Sequence, residues 1–411
     1  MDGRRHHLLV FEPDARGHSE EWLLHLLRHL PALGAVDALS LAVAPELARR
    51  LQPAMEECAI PGLRVIVLNE RTLARCNSHR LAISGFARWW TVRRLARETG
   101  ANTALFLALD HLSLPLGLQL GARACRLSGI LFRPSVHYGR LGPYAPTWTE
   151  RVRDLRKEVL YRLMLRNGSV ASVLSLDPFF AAYAFERYPR GDKVRSLDDP
   201  FHTGFAATQR RTPNAEPART SFVLFGELTE RKGLLVLLEA LAFLEPGMAG
   251  RISVTIAGRI DPSLKARAQA LAVEALRQAP HLMLRIEDRR LPDAELDSLI
   301  RDCDVVLAPY QRFVGSSGVL IWAAMHQKPV LTQNYGLLGH LVHRYRLGHT
   351  LDTRDPALLA RGLATIAAQP EILASDPSGT AAFLSGKTPQ IFVETLVRGA
   401  LESPANARIY A

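Results

Sequence analysis

Residues 222–241 read FVLFGELTERKGLLVLLEAL, and this run decides the fold. Together with the preceding serine, Ser221–Phe225 reads as an apolar strand buried on both faces, Gly226 breaks it, and a polar turn ends in Arg231-Lys232-Gly233. The apolar stretch that follows reads as a buried helix. Strand, glycine turn and helix make half of a βαβ unit, and therefore part of a parallel sheet. At such a junction the free backbone N–H groups and the helix dipole favour an anion, so an arginine and a lysine there suit a diphosphate.

The layout recurs at residues 304–330, DVVLAPYQRFVGSSGVLIWAAMHQKPV. A strand Asp304–Ala308 leads through a loop ending in Gly315-Ser316-Ser317-Gly318 into a helix. The glycines permit close backbone approach, and Ser316 or Ser317 can cap the helix while bonding a phosphate or sugar hydroxyl. Further strands are expected at Ile252–Ala257, Leu282–Ile286 and Pro329–Thr332. In the N-terminal half they fall at Leu8–Phe11, Ala38–Val43, Leu63–Leu68, Ala104–Leu109, Gly129–Phe132 and Ala171–Leu176. Helical stretches separate them, so both halves are α/β, with ligand residues beyond the carboxyl ends of the strands.

The polar, proline-containing stretch Phe205–Thr220 reads as a linker. It divides an N-terminal domain, 1–204, from a C-terminal domain, 221–388. Residues 389–411 open with Pro389, and Phe392, Val393, Leu396, Val397 and Ala400 form the stripe of an amphipathic helix. Two α/β domains joined once predict a cleft with room for two ligands.

Several runs together carry a resemblance. Gly226–Leu241 (G-x-L-x-x-R-K-G-x-x-x-L-L-E-A-L), Val254–Arg259 (VTIAGR), Asp304–Pro309 (DVVLAP) and Lys328–Gly336 (KPVLTQNYG) resemble the C-terminal half of family-4 (group 1) glycosyltransferases. The resemblance implies the GT-B fold: two Rossmann-like domains facing across a cleft, with the C-terminal helix crossing back to the first. It implies a retaining transferase that takes a nucleotide-diphosphate sugar, with Arg231 and Lys232 on the diphosphate and Gly226 and Gly315–Gly318 around the donor. The acceptor, a saccharide or lipid-linked molecule, is then expected on the first domain.

The N-terminal half resembles the family only in layout. Gly17-His18 precedes the first helix as the family's glycine-rich loop does. Asp110-His111 is expected to close the fourth strand and Arg133, with His137 after it, the fifth. These strand ends make Gly17, His18, Asp110 and Arg133 acceptor-side candidates and His111 and His137 catalytic candidates; sequence does not choose between the two histidines. One departure stands out. Where the family carries two glutamates eight positions apart, alignment on Pro329-Val330 places Val314 and Trp322. Either recognition is remodelled around Ser316, Ser317 and Gly318, the favoured reading, or the donor is unusual, or activity is lost and the chain is an inactive sugar-nucleotide-binding or scaffolding protein.

Composition narrows the classes. The chain has 411 residues, 48% hydrophobic and 22% charged, which excludes wholesale disorder and fibrous repeats. Lys plus Arg is 51 against 40 acids, and residues 1–200 hold 28 of the basic and 20 of the acidic residues. The partners are therefore expected to be anionic, but no DNA- or RNA-binding module is present, which argues against nucleic acid. Cys58, Cys76, Cys125 and Cys303 show no C-x-x-C spacing, and no metal or cofactor is expected. The opening MDGRRHHLLVF has no apolar leader, so a cytoplasmic location is expected. Phe86–Arg97 (FARWWTVRRLAR) and Thr149–Arg166 are basic and amphipathic, which predicts peripheral contact with an anionic membrane from its inner face.

Overall fold

The computed structural model describes residues 6–15, 18–58, 60, 62–121, 125–132, 134–201, 219–369 and 376–401. The expected linker falls almost entirely on residues 202–218, outside that set; its last residue, Thr220, opens a strand. The chain divides into two compact units. The first comprises Met1–His137, Pro146–Pro200 and Gly386–Ala411, and the second Tyr138–Ala145 and Phe201–Ser385.

The first unit is built on β1 (His7–Glu12), β2 (Ala38–Val43), β3 (Arg64–Val67), β4 (Thr103–Phe106), β5 (Arg126–Leu131), β6 (Val170–Ser175) and β7 (Val194–Ser196). Their order across the sheet is β3-β2-β1-β4-β5-β6-β7, all parallel. The second contains β8 (Thr220–Phe225), β9 (Ile252–Ala257), β10 (Met283–Glu287), β11 (Val305–Ala308), β12 (Val330–Gln333) and β13 (Gly348–Leu351), in the order β10-β9-β8-β11-β12-β13, again parallel. In each sheet the order reverses once, between β1 and β4 and between β8 and β11. A doubly wound sheet splits its crossovers to opposite faces there, leaving a crevice beyond the carboxyl ends.

Alternation along β1 shows both faces covered. Leu9 and Phe11 join a core with Trp89, Phe106 and Tyr161, whereas Leu8 and Val10 join one with Trp22, Leu26 and Leu174. The second core is closed by the helix Pro389–Leu401, whose Phe392, Val393, Leu396, Val397 and Ala400 are all fully buried. Gly399 O accepts from Ser172 Oγ on β6 at 2.5 Å, which fixes this helix on the first unit. The second sheet buries its own core, led by Phe222, Leu224, Ile256, Leu307 and the helix Leu234–Leu241. The expected strands form within a few residues of their predicted bounds. β7 and β13 were not anticipated: they are short edge strands, VRS and GHTL, without the apolar run that marks a central strand.

Candidate functional site

At the β8/β11 reversal the two motif-bearing segments meet. After β8 the backbone turns at Gly226 and forms a 3₁₀ turn at Glu230–Lys232. Gly233 follows with φ +78°, and a Cβ there would lie 1.9 Å from Pro309 O, so only glycine lets this junction lie against the end of β11. Gln311 N donates to Arg231 O at 2.8 Å and stitches the two loops together.

Lys232, expected at an open loop–helix junction, is instead buried. Its ammonium bonds the Tyr310 hydroxyl and lies 4.6 Å from the centre of that ring. Tyr310 Oη in turn meets Ser317 Oγ at 2.8 Å. Among the described residues Lys232 has no carboxylate partner, and a buried ammonium held only by a neutral hydroxyl has unused capacity for an anion. Arg231 is half-buried, its guanidinium 4.5 Å from the Phe313 ring centre. Thr229 Oγ1 is buried beside them without a hydrogen-bond partner among the described residues. Tyr310 and Thr229 were missed in the sequence, because only the fold brings Tyr310 between Lys232 and Ser317.

Two expectations are corrected here. Neither Ser316 nor Ser317 is the N-cap of the helix Val319–Met325, which is Gly318; Ser317 Oγ accepts from Val319 N only at 3.4 Å and meets Tyr310 Oη more closely. Trp322 is a core residue, 6% exposed, its ring parallel to His326 at 6.5 Å. His326 Nε2 sits 2.9 Å from the buried Asp297 carboxylate. Val314 is half-buried, its carbonyl accepting from Leu337 N at 2.9 Å.

At the β1/β4 reversal of the first unit, Asp110-His111 does not close β4. The strand ends at Phe106, and both residues lie in the 3₁₀ turn Leu109–Leu112, formed because Leu109 and Leu112 are buried three apart, as a helical turn requires. Asp110 Oδ2 accepts from Phe132 N at 2.9 Å and ties this turn to the end of β5. His111 Nδ1 lies 3.2 Å from Ser84 Oγ, which donates to Cys76 O at 2.5 Å. With the hydroxyl proton spent on that carbonyl, Ser84 Oγ receives Nδ1–H, and His111 Nε2 carries the lone pair. Burial, followed by the nearby Arg88 charge, holds the His111 pKa below its ordinary value and favours this neutral form. The helix Leu81–Thr99 can come this close because residue 85 is glycine: a Cβ there would be 2.4 Å from His111 O.

His137 is arranged differently. Its Nδ1 is 2.9 Å from Pro134 O and its Nε2 2.9 Å from Asp177 Oδ2, the latter at ion-pair distance but off the hydrogen-bond line. With both nitrogens facing acceptors in a 5% exposed ring, His137 offers a substrate nothing. The two histidines that sequence left equivalent are thus distinct.

Glu12, unnoticed in the sequence, ends β1 with only 2% of its surface exposed. Burial pushes its carboxyl up to about 7, against smaller opposing pulls from Asp14 N, which donates to Oε1 at 2.8 Å, and from Arg88 and Ser19. Arg88 is itself buried, donating to Cys76 O at 3.0 Å and Asn77 Oδ1 at 3.1 Å. His18 is exposed and stacks on Trp22, ring centres 5.5 Å apart. Gly17 and Arg133 lie outside the described residues.

Residues 219–369 match the family described as glycosyl transferases group 1. The whole chain is similar in fold to a glycosyltransferase from Rickettsia africae ESF-5, with a TM-score of 0.65 at 12% identity over 97% of this chain and 99% of that one. It is also similar to HepE of Anabaena in complex with UDP, at a TM-score of 0.61 and 16% identity over 96% and 98% of the two chains. Sucrose-phosphate synthase from Thermosynechococcus elongatus gives 0.65 at 15% identity, with 96% of each chain covered. No curated protein matches in sequence. The chain has the GT-B fold of these structures, and the match to the group 1 glycosyltransferase family covers residues 219–369, on the unit that carries Arg231 and Lys232.

Proposed function

We propose that the protein is a retaining family-4 glycosyltransferase that moves a sugar from a nucleotide-diphosphate donor, bound by the second unit, to an acceptor held by the first. The observation that carries this reading is the Lys232–Tyr310–Ser317 relay at the β8/β11 reversal, with Arg231 beside it. The diphosphate meets two cations there. As the bond from the anomeric carbon to the β-phosphate oxygen breaks, negative charge grows on that oxygen, and fixed donors in a water-poor site stabilise it. Gly226, Gly315, Ser316 and Gly318 line the donor with backbone and hydroxyl groups. The UDP bound by HepE supports a uridine diphosphate as the first donor to try.

On the acceptor side, His111 Nε2 accepts a bond from the attacking hydroxyl, whose proton ends on the departing phosphate. Asp110 fixes the turn that carries the imidazole, Glu12 ends β1 of the same parallel sheet and His18 follows that strand. No step calls on a metal, and among the described residues no group of three His, Cys, Asp or Glu side chains could hold one.

The rival reading is an inert sugar-nucleotide binder, favoured by Val314 and the buried Trp322 where the family has glutamates. Titration with UDP-glucose, GDP-mannose and ADP-glucose, followed by assay of nucleoside diphosphate release, separates the two. Release with any donor supports the transferase; saturable binding without release supports the binder.

The second part of the proposal is peripheral contact with an anionic membrane surface. Along the helix Trp148–Arg166, Trp148, Val152, Leu155 and Val159 are exposed by 77%, 48%, 66% and 49%. Their spacing of four, three and four residues puts them on one face, flanked by Arg151, Arg156 and Arg162. Among the described residues no helix is long and apolar enough to cross a membrane, so contact is with the surface.

A further inference from the structure

The helix Leu81–Thr99 has a second working face. Its buried side carries Ser84 and Arg88 toward the His111 turn. On the adjoining face Ile83, Phe86 and Trp90 follow the helical repeat, with Ile83 43% and Trp90 58% exposed and Phe86 half-buried. With the short helix Glu70–Cys76 they line a groove of about 930 Å³. That volume lies within the roughly 300–1,000 Å³ of small-molecule sites.

The rim of the groove is cationic. Arg71 and Arg75 stand one turn apart on the shorter helix, and Arg94 and Arg97 close the far end. Arg94 has only an exposed pairing with Glu98 at 3.7 Å, and Arg71, Arg75 and Arg97 have no acidic partner among the described residues. An apolar floor with an uncompensated positive rim matches a ligand that is itself divided, with a hydrocarbon chain and an anionic group. A solvated charged face would not expose an indole and an isoleucine side by side, and a core face would not surround them with guanidinium groups. The groove begins at the helix end that packs on His111 and runs about 21 Å to Arg97, counted at 1.5 Å per residue. A chain lying in it points toward the strand ends.

We propose that this groove binds a single anionic amphiphile, its apolar chain over Ile83, Phe86 and Trp90 and its phosphate on Arg71 and Arg75. Taking that molecule as the acceptor, and so placing the acceptor among lipid-linked phosphates, rests on the transferase reading; the binding itself does not.

The test is titration calorimetry of the full chain with dodecyl phosphate and butyl phosphate, both below micelle formation, and with dodecyl maltoside. Dodecyl phosphate binds more tightly than butyl phosphate by roughly a hundredfold or more, because the longer chain removes more apolar surface from water. Dodecyl maltoside is weaker than dodecyl phosphate. Arg71→Gln/Arg75→Gln weakens dodecyl phosphate by about tenfold or more while leaving dodecyl maltoside unchanged. Ile83→Asn/Trp90→Asn, at exposed positions, abolishes the chain-length dependence with an unchanged melting curve.

Equal affinities for the two phosphates, or groove variants that bind as the parent does, overturn the proposal. So does binding to phosphatidylglycerol vesicles with none to monomeric dodecyl phosphate, which would make this face a membrane dock. UDP is titrated alongside: groove variants that keep UDP affinity but lose the amphiphile support the proposal, and a parent that binds dodecyl phosphate but no nucleotide leaves the groove standing and removes the donor reading.

Discussion

The β8–β11 region of the second unit and the β1–β4 region of the first occupy the same place in two sheets of the same strand order, yet they are assembled in opposite ways. In the second unit the chemistry is written in contiguous runs: Arg231-Lys232-Gly233 in one loop and Gly315–Gly318 in the next, joined by Tyr310. In the first, His111 depends on Ser84 and Cys76 from two other helices, and Glu12 faces Arg88 across elements far apart in sequence. A contiguous motif can be recognised before folding. A network drawn from several elements exists only after it, and the difference predicts which substitutions act on chemistry and which on stability.

The largest expected effect separates the two histidines. General acid–base groups contribute roughly 10²–10⁴-fold to rate, so His111→Ala should lower turnover by that factor with an unchanged melting temperature. His137→Ala should chiefly lower the melting temperature, because Asp177, 1% exposed, loses the ring nitrogen 2.9 Å from its carboxylate and a buried ring leaves a cavity. Equal losses of turnover at equal stability would return the pair to the equivalence it had in the sequence.

Next is Trp322→Ala, expected to cost about 3–5 kcal/mol, as removal of a buried indole does. Val314→Glu, at a half-buried position, should be far milder. Denaturant unfolding of both variants checks this, and a mild Trp322→Ala would free that position for the role that glutamate has in the family. Alignment found these two positions but not their burial, which follows from the packing of the helix Val319–Met325.

Legibility follows the same division. Continuous apolar strands such as Ile252–Ala257 and Ala38–Val43 were read to the residue, because a strand covered on both faces cannot be polar. The stripe Phe392–Ala400 gave the closing helix. What stayed hidden was relational. Glu12 looks like any surface glutamate until Asp14, Arg88 and Ser19 at the start of the helix Ser19–Leu33 close on it, and Lys232 reads as a loop cation until Tyr310 arrives over it.

Glu12 makes the first unit sensitive to pH. Its carboxyl is raised from 4.5 to about 7 by burial, so the folded state holds this proton more tightly than the unfolded chain. The resulting stability is fully present below pH 4.5 and lost as pH rises through about 7. At about 1.4 kcal/mol per pKa unit the change is on the order of 3 kcal/mol. Glu12→Gln should remove this slope between pH 4.5 and 7 and leave the variant the more stable at pH 8. Parallel stability–pH curves for parent and variant would show Glu12 to be solvated.

On the second unit, Lys232→Met and Arg231→Ala should each weaken UDP by about one to two decades, the worth of a charge-assisted hydrogen bond of roughly 1.5–3 kcal/mol. Lys232→Met keeps the apolar stem in its buried slot, so the loss reports charge rather than packing. Unchanged affinity in the double variant would remove the diphosphate from this loop and leave the contrast between the two regions without its clearer half.

The smallest effect concerns the helix Trp148–Arg166. Each arginine near an anionic surface is worth about 1 kcal/mol, so Arg151→Gln and Arg156→Gln should each lower binding to phosphatidylglycerol vesicles by about fivefold. Trp148→Ser should lower it too, but without changing its salt dependence, because the indole acts by burial and the guanidinium groups by attraction. The attraction fades as the screening length falls from about 10 Å at 0.1 M salt to about 3 Å at 1 M. A protein held by charge alone would detach fully at high salt, and one held by the exposed stripe alone would ignore lipid charge. The arrangement of four apolar residues along one face with arginines beside them uses both, so binding should be strongest on anionic vesicles at low salt and fall only partly at 1 M salt, and on neutral vesicles it should be weaker at low salt and insensitive to salt. Recovery with neutral vesicles equal to that with anionic ones would make the arginines of this helix ordinary solvated charges and its apolar stripe a site for something other than lipid.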